Sequence, residues 1–238
     1  MSSSPAIIVT GAAGNLGAAV VRELARGSAP LVLMERSAEK LEALVASLPA
    51  GVEVLSIAGT DMTSQEACEA AVAQAIAKFG AVGGLANTVG GFAMAPVAKA
   101  LAQWDAMLTG NARTALAISA AVLPAMQAAR QGRIVHVAAL AGQKASTGMA
   151  AYAASKAALL RLTEAIAEEY RKDGITANCV LPGVIDTPPN RAAMPKADTS
   201  TWVAPEAIAR LIAFLLSAEG GVVTGGAIPA TGVPAVSA

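Results

Sequence analysis

Tyr152 and Lys156 stand four residues apart in the stretch MAAYAASKAALLRL, a spacing that puts both side chains on one face if the stretch is helical. An ammonium beside a phenol favours the phenolate and draws its pKa below the ordinary value of about 10, which would make Tyr152 a general acid or base near neutrality. Alone, the same pair also fits a solvated helix surface. A second signal weighs against that plain reading. In AIIVTGAAGNLGAAVVREL a short apolar run meets three glycines and then a helical pattern. There Gly11 permits a tight turn, Gly14 lets the backbone approach a pyrophosphate, and Gly17 allows helix and strand to pack closely, with phosphates at the helix N-terminus. The next apolar run ends LVLMERS, placing Glu35 where a carboxylate accepts hydrogen bonds from an adenosine ribose. Arg36 follows, and a guanidinium there could hold a 2′-phosphate instead. Because a carboxylate repels a phosphate, NAD(H) is favoured, and Arg36 keeps NADP(H) open.

These residues need elements to position them. Short apolar or β-branched runs alternate with longer stretches of helical period, the pattern of an α/β chain with a parallel sheet covered on both faces. Strands are expected over 6–10, 31–34, 53–57, 84–87, 133–138, 176–181 and 227–230, and helices over 16–26, 38–47, 64–79, 103–129, 149–170 and 206–216. Thr63 and Glu66 fit a capping box, and Pro205 suits a first helical turn. The stretch DTPPNRAAMPKADTSTWVA (186–204) has several prolines and no steady period, so it reads as a long loop of the kind that covers or binds a substrate. With no composition break along 238 residues, a single domain is expected.

Composition narrows the partners. Net charge is zero and no basic run occurs, so the electrostatic footprint of a nucleic-acid binder is missing. Cys68 and Cys179 lack a partner spacing and one histidine cannot build a usual zinc site, so reduced thiols and no metal are expected. The N-terminal stretch lacks the basic flank and apolar core of a leader, and no run of about 18 residues is free of Gly, Pro or charge. A cytoplasmic protein with a small-molecule substrate and no membrane partner is the expectation. Aromatic residues make up 3% of the chain, so Ala, Val, Leu and Ile must form the core. The helices around 110–129 and 149–170 hold more alanine and leucine than one sheet needs to cover it, which points to a homodimer or homotetramer.

Taken in order, these motifs are identified as those of the short-chain dehydrogenase/reductase family, and the resemblance runs over essentially the whole chain. TGAAGNLG, from Thr10 through Asn15 and Leu16 to Gly17, resembles the cofactor loop. Asp61, followed by Met62, resembles the adenine-side aspartate, and NTVG, from Asn87 to Gly90, resembles the element after the fourth strand. Asn111 in LTGNARTAL falls at the catalytic asparagine, and YAASK carries the tyrosine and lysine signature. PGVIDT, with Pro182, Gly183, Ile185 and Thr187, resembles the turn that holds the nicotinamide carboxamide. The resemblance implies a Rossmann-like doubly wound sheet of about seven strands and an NAD(P)(H) cofactor. It further implies Tyr152 as proton donor or acceptor, Lys156 on the nicotinamide ribose, and Asn111 in a water-mediated proton relay.

Two departures qualify it. Asn15 stands where the family's loop commonly has glycine, a change that asparagine's tolerance of positive φ accommodates. Ala139 stands where the family places a serine that polarises the carbonyl. His136, three residues earlier within the strand, reads as a satisfied histidine beside the sheet core. Three functions follow. The loop 186–202 resembles that of quinoid dihydropteridine reductases, which also have alanine at the serine position, and a conjugated imine-type ring takes up its own charge. An ordinary carbonyl/alcohol oxidoreductase would instead use Ser146, Thr147 or a water in place of the serine, with Arg191 as a further substrate candidate. A cofactor-binding regulatory or scaffold protein with weak catalysis is the alternative from another class.

Overall fold

Runs such as AIIVT and LVLME are apolar at consecutive positions rather than in alternation, which is what a sheet buried on both faces requires. The computed structural model, which describes residues 4–232, contains that sheet. Met1–Ser3, part of the stretch read above for a leader, lie outside the described residues. The strands are β1 (Ala6–Thr10), β2 (Leu31–Glu35), β3 (Val54–Ala58), β4 (Val82–Asn87), β5 (Gly132–Val137), β6 (Ile175–Pro182) and β7 (Ala227–Ala230). They pair in parallel throughout, in the order β3-β2-β1-β4-β5-β6-β7. The order reverses between β1 and β4, the switch point at whose carboxyl ends open α/β sheets bind ligands. Thr10 is in register with Met34 on one side and Asn87 on the other, so the crevice opens directly above these residues.

The helices are α1 (Asn15–Leu24), α2 (Ala38–Ala46), α3 (Gln65–Phe79), α4 (Leu101–Leu108), α5 (Thr114–Ala129), α6 (Ala150–Glu169), α7 (Pro188–Ala193) and α8 (Pro205–Leu216). Ile8, Val32, Met34 and Ile134 pack with α3 and α5, while their neighbours Val9, Leu31, Leu33 and Val135 pack with α1, α2 and α8. Successive strand residues thus point to opposite faces, and each face is covered. The expected strands agree with those observed within one or two residues.

Three local expectations are corrected. The helix expected over 103–129 is interrupted: α4 ends at Leu108, and Thr109–Arg113 form a π-type turn before α5. The extra residue in that turn re-aims Asn111, which periodicity cannot register. The 186–204 stretch is not all loop, since α7 begins at Pro188 with Thr187 as its cap; Thr-Pro-Pro is a helix start because proline fits the first helical positions. Ser64, not Thr63, caps α3 and accepts a bond from Ala67 N, while Thr63 is drawn to Asp61. The stretch Leu101–Ala129 has the length and mean hydropathy of a membrane span, but it carries Asp105, Gly110, Arg113 and Pro124, in line with the reading of the apolar runs, and half of its most apolar window is buried inside the protein.

Candidate active site

The glycine turn is built by backbone geometry. Gly11 has φ +65°, a conformation that glycine alone adopts without strain, and Gly14 N donates to Gly11 O at 3.0 Å to close the turn. A Cβ on Gly17 would overlap the Gly11 carbonyl, so α1 can lie this close only with glycine there. Gly14 caps α1 without any side-chain bond, and Gly14 and Asn15 are exposed while Leu16 and Gly17 are buried. The exposed end of α1 therefore presents backbone N–H groups that no side chain caps, at the switch point of the sheet. A dinucleotide's pyrophosphate fits this cradle, because it needs donors and close backbone approach rather than side chains. Thr88, from the NTVG element, braces the turn by donating from Oγ1 to Thr10 O at 2.7 Å.

On the adenine side Glu35 closes β2. Its Oε2 accepts from Ala13 N at 3.1 Å and its Oε1 from Arg36 N at 2.7 Å, so the carboxylate is drawn against the glycine turn, while Arg36 is exposed. Asp61 accepts from the N–H and the hydroxyl of Thr63, and the hydroxyl bond above all holds its carboxyl below the usual value. Arg113 Nε donates to Thr63 O at 3.0 Å, tying the π-type turn to this loop, and Met62 packs against the core under α3.

The catalytic candidates come together across three elements. Asn111 is buried: Oδ1 accepts from Gly91 N at 2.8 Å, and Nδ2 donates to Gly91 O at 3.1 Å and to Ser155 Oγ at 2.9 Å. Ser155 in turn donates to Tyr152 O at 2.7 Å. Lys156 is buried and its Nζ donates to Val137 O at 2.9 Å, at the end of β5. Gly90 lies between them, where a Cβ would come 2.7 Å from Asn111 Oδ1 and 3.1 Å from Lys156 Nζ. Burial lowers Lys156 to about 8. The expectation that Lys156 depresses the Tyr152 pKa is corrected: burial raises the phenol, because Nζ lies 5.9 Å from the ring centroid and its hydrogen bond goes to Val137. The Tyr152 ring meets Phe92 edge to face, with centroids 4.9 Å apart.

Ala139 follows β5 in extended conformation and is buried, and the short turn after it packs Gly142 against the backbone of Lys156. Ser146 and Thr147 are exposed on the next loop. Beyond β6, Pro182 ends the strand, Gly183 N donates to Ala230 O, and Ile185 pairs with Val203 to close the base of the 186–203 segment. Thr187 is buried, its Oγ1 accepting from Asn190 N. Arg191 donates two bonds, of 2.6 and 2.7 Å, to Asp186, so its guanidinium faces its own segment.

A second polar series lies deeper. Thr10 Oγ1 donates to Asn87 Oδ1 at 2.6 Å, Asn87 Nδ2 meets His136 Nδ1 at 3.2 Å, and His136 Nε2 meets Ser119 Oγ at 3.3 Å. The Ser119 hydroxyl donates to Ala115 O at 2.7 Å. The series is complete only with a neutral imidazole protonated on Nε2. Burial, and then the Lys156 charge, push His136 down to about 3. The side chain of Asn87 is thus committed inside the sheet. Sequence reasoning did not single out Thr88, Ser155, Arg113 or Phe92. Thr88, Arg113 and Ser155 sit inside the quoted motifs at positions whose contacts spacing does not reveal, and Phe92 gave no signal.

Comparison with known proteins agrees with this geometry. Residues 5–198 match the family described as short chain dehydrogenase. The chain is 30% identical over 230 residues to the 3-oxoacyl-(acyl-carrier-protein) reductase of Thermotoga maritima, covering 92% of each. It superposes on an NAD+-bound xylitol dehydrogenase with a TM-score of 0.87, at 29% identity over 96% of this chain and 98% of that one. It superposes likewise on an actinorhodin polyketide ketoreductase with NADPH, at a TM-score of 0.88 and 26% identity over 96% of each chain. A family match over most of the chain, on a sheet whose switch point carries the glycine turn, places this protein in the short-chain dehydrogenase family of NAD(P)-dependent oxidoreductases.

Proposed function

We propose that this enzyme interconverts a carbonyl and an alcohol with NAD(H), using Tyr152 as the acid in reduction and the base in oxidation. The observation that carries the reading is the set formed by Asn111, Tyr152 and Lys156 beside the glycine turn. Bound there, a nicotinamide dinucleotide would supply or take up the hydride. Gly11, Gly14 and Asn15 would receive its phosphates, Glu35 the adenosine ribose, Asp61 the adenine side, and Thr187 with Ile185 the carboxamide. Lys156 spends one of its three N–H donors on Val137 O, and the others would be left for the nicotinamide ribose. Tyr152 holds its proton at neutral pH and delivers it to the carbonyl oxygen, while Asn111, fixed by Gly91 and Ser155, would help a water-mediated proton relay.

The chain does this without the family's serine: Ala139 offers no hydroxyl, so Tyr152 is the side-chain donor to the reacting oxygen. The relatives described above are named for carbonyl and alcohol chemistry, which supports a carbonyl over a quinonoid dihydropteridine. A regulatory or scaffold role needs neither an acid nor a buried lysine beside it. Glu35, anchored against the turn, supports NAD(H) over NADP(H), and NADH is expected to bind at least about tenfold more tightly, or 1.4 kcal/mol. The two buried free cysteines suit a reducing compartment, the cytoplasm, and Leu116, exposed on α5, suits pairing of two copies. The decisive experiment follows consumption of NADH and NADPH with ketones, quinones and quinonoid dihydropterin. Turnover of ketones with NADH is expected, and turnover of the dihydropterin alone would overturn the carbonyl reading.

A further inference from the structure

Phe92 is 58% exposed and Met94 52%, although both sit beside the catalytic helix, where large apolar side chains are ordinarily covered. Along the same stretch Val97, Leu101 and Trp104 are exposed too, so half of the ten large exposed apolar residues among those described fall within Phe92–Trp104. The segment is held firmly. Ala95 N donates to Gly148 O at 2.8 Å, Ala95 forms a bridge with Met149 immediately before α6, and Gln103 Nε2 donates to Met94 O at 3.4 Å. Met94 packs against Gly148, whose φ of +77° suits glycine and whose missing side chain makes the room.

The rings of Phe92 and Tyr152 stand at 81° to each other with centroids 4.9 Å apart, so their planes bound a corner. A flat ring laid parallel to Phe92 would stand roughly perpendicular to the neighbouring Tyr152 ring. Aromatic stacking and burial of exposed apolar area would both favour such a guest. A small anionic keto acid would gain neither, and Arg191, one of the two cations on the 186–203 segment with Lys196, is already paired with Asp186.

We propose that Phe92, with Met94, is the specificity-determining wall of the site and selects substrates whose reacting carbonyl is borne on a flat, apolar ring; this rests on the carbonyl reading above. In an enzyme without the serine donor, the wall takes over orientation of the carbonyl by stacking. The test is binding, measured by calorimetry on the protein saturated with NAD+, so that no hydride passes to the ketone. The probes are 1-tetralone, a flat aryl ketone, and pyruvate. Wild type is expected to bind 1-tetralone more tightly than pyruvate, Phe92→Ala to weaken 1-tetralone by about tenfold, and Phe92→Trp to retain it, with pyruvate unchanged throughout. The proposal is overturned if wild type does not bind 1-tetralone, if Phe92→Ala binds it as well as wild type does, or if both probes weaken by the same factor. Failure of the carbonyl reading looks different: 1-tetralone binds with the expected dependence on Phe92, but no ketone is reduced when NADH is supplied.

Discussion

Two hydrogen-bonded series cross the carboxyl end of the sheet, and they have opposite fates. The inner one runs from Thr10 through Asn87 and His136 to Ser119, all fully buried, and each donor in it has an acceptor. The outer one joins Gly91, Asn111, Ser155 and the backbone of Tyr152, with Lys156 alongside on Val137 O. It stops short of the Tyr152 hydroxyl, and Lys156 keeps donors to spare. Both are built from ordinary residues on neighbouring strands and helices. The difference is closure: a completed network rigidifies, while one that leaves a titratable group at a cleft can do chemistry. Burial shifts groups in both, but in His136 it removes the charge altogether, whereas Lys156, lowered to about 8, remains protonated at neutral pH.

The comparison breaks most sharply at Tyr152. Replacing Tyr152 with Phe should lower kcat/KM for ketone reduction by about 10² to 10⁴ while NADH binding measured by calorimetry stays within threefold of about its wild-type strength. Rates that hold up on every accepted substrate would remove Tyr152 from the outer series. Ala139→Ser comes next. If the outer series lacks a carbonyl donor, the added hydroxyl should raise kcat/KM on poor ketones by up to about 10², the contribution of one oxyanion donor. On a substrate already held by stacking it should do little, and a gain on every substrate tested would show that Ala139 is no adaptation.

The lysine sharpens the contrast through pH. If the protonated lysine is the form that serves the proposed reaction, then with a pKa of about 8 the reduction rate should be level below pH 8 and fall by up to about tenfold per pH unit above it. A profile that is flat to pH 10 would place the lysine charge outside the mechanism. The smallest effect on rate is expected at His136. His136→Leu should leave ketone reduction within about threefold at pH 7 but cost about 1–3 kcal/mol in urea unfolding, because Asn87 and Ser119 lose their partner. The sign with pH can be worked out. His136 is lowered from 6.5 to about 3, so the unfolded chain binds the extra proton in that window. Wild-type stability is therefore whole above about pH 6.5 and falls toward pH 3 by up to about 1.4 kcal/mol per unit. The leucine variant lacks this slope, so the two unfolding curves should converge as the pH is lowered. Parallel curves from pH 7 to 4 would mean that His136 is not held neutral.

The chain itself determined the sheet and the nucleotide turn. Strands such as AIIVT and LVLME are short consecutive apolar runs and each covering helix has its own period, so local pattern and burial agree, and Gly11 and Gly17 can be read because a positive φ at one and a close backbone approach at the other leave no other residue there. Tyr152 and Lys156 were legible for the same reason, being four apart on one helix. What spacing could not carry is any contact between distant segments. Whether Asn111 reaches Ser155 depends on a π-type turn 44 residues away in sequence, and the direction of the Tyr152 pKa depends on water excluded by the folded cleft rather than on the neighbouring lysine. The closure of the His136 series was decided when β1, β4, β5 and α5 packed together, and so was the corner between Phe92 and Tyr152, because hydrogen-bond partners and ring angles are set by tertiary packing and not by distance along the chain.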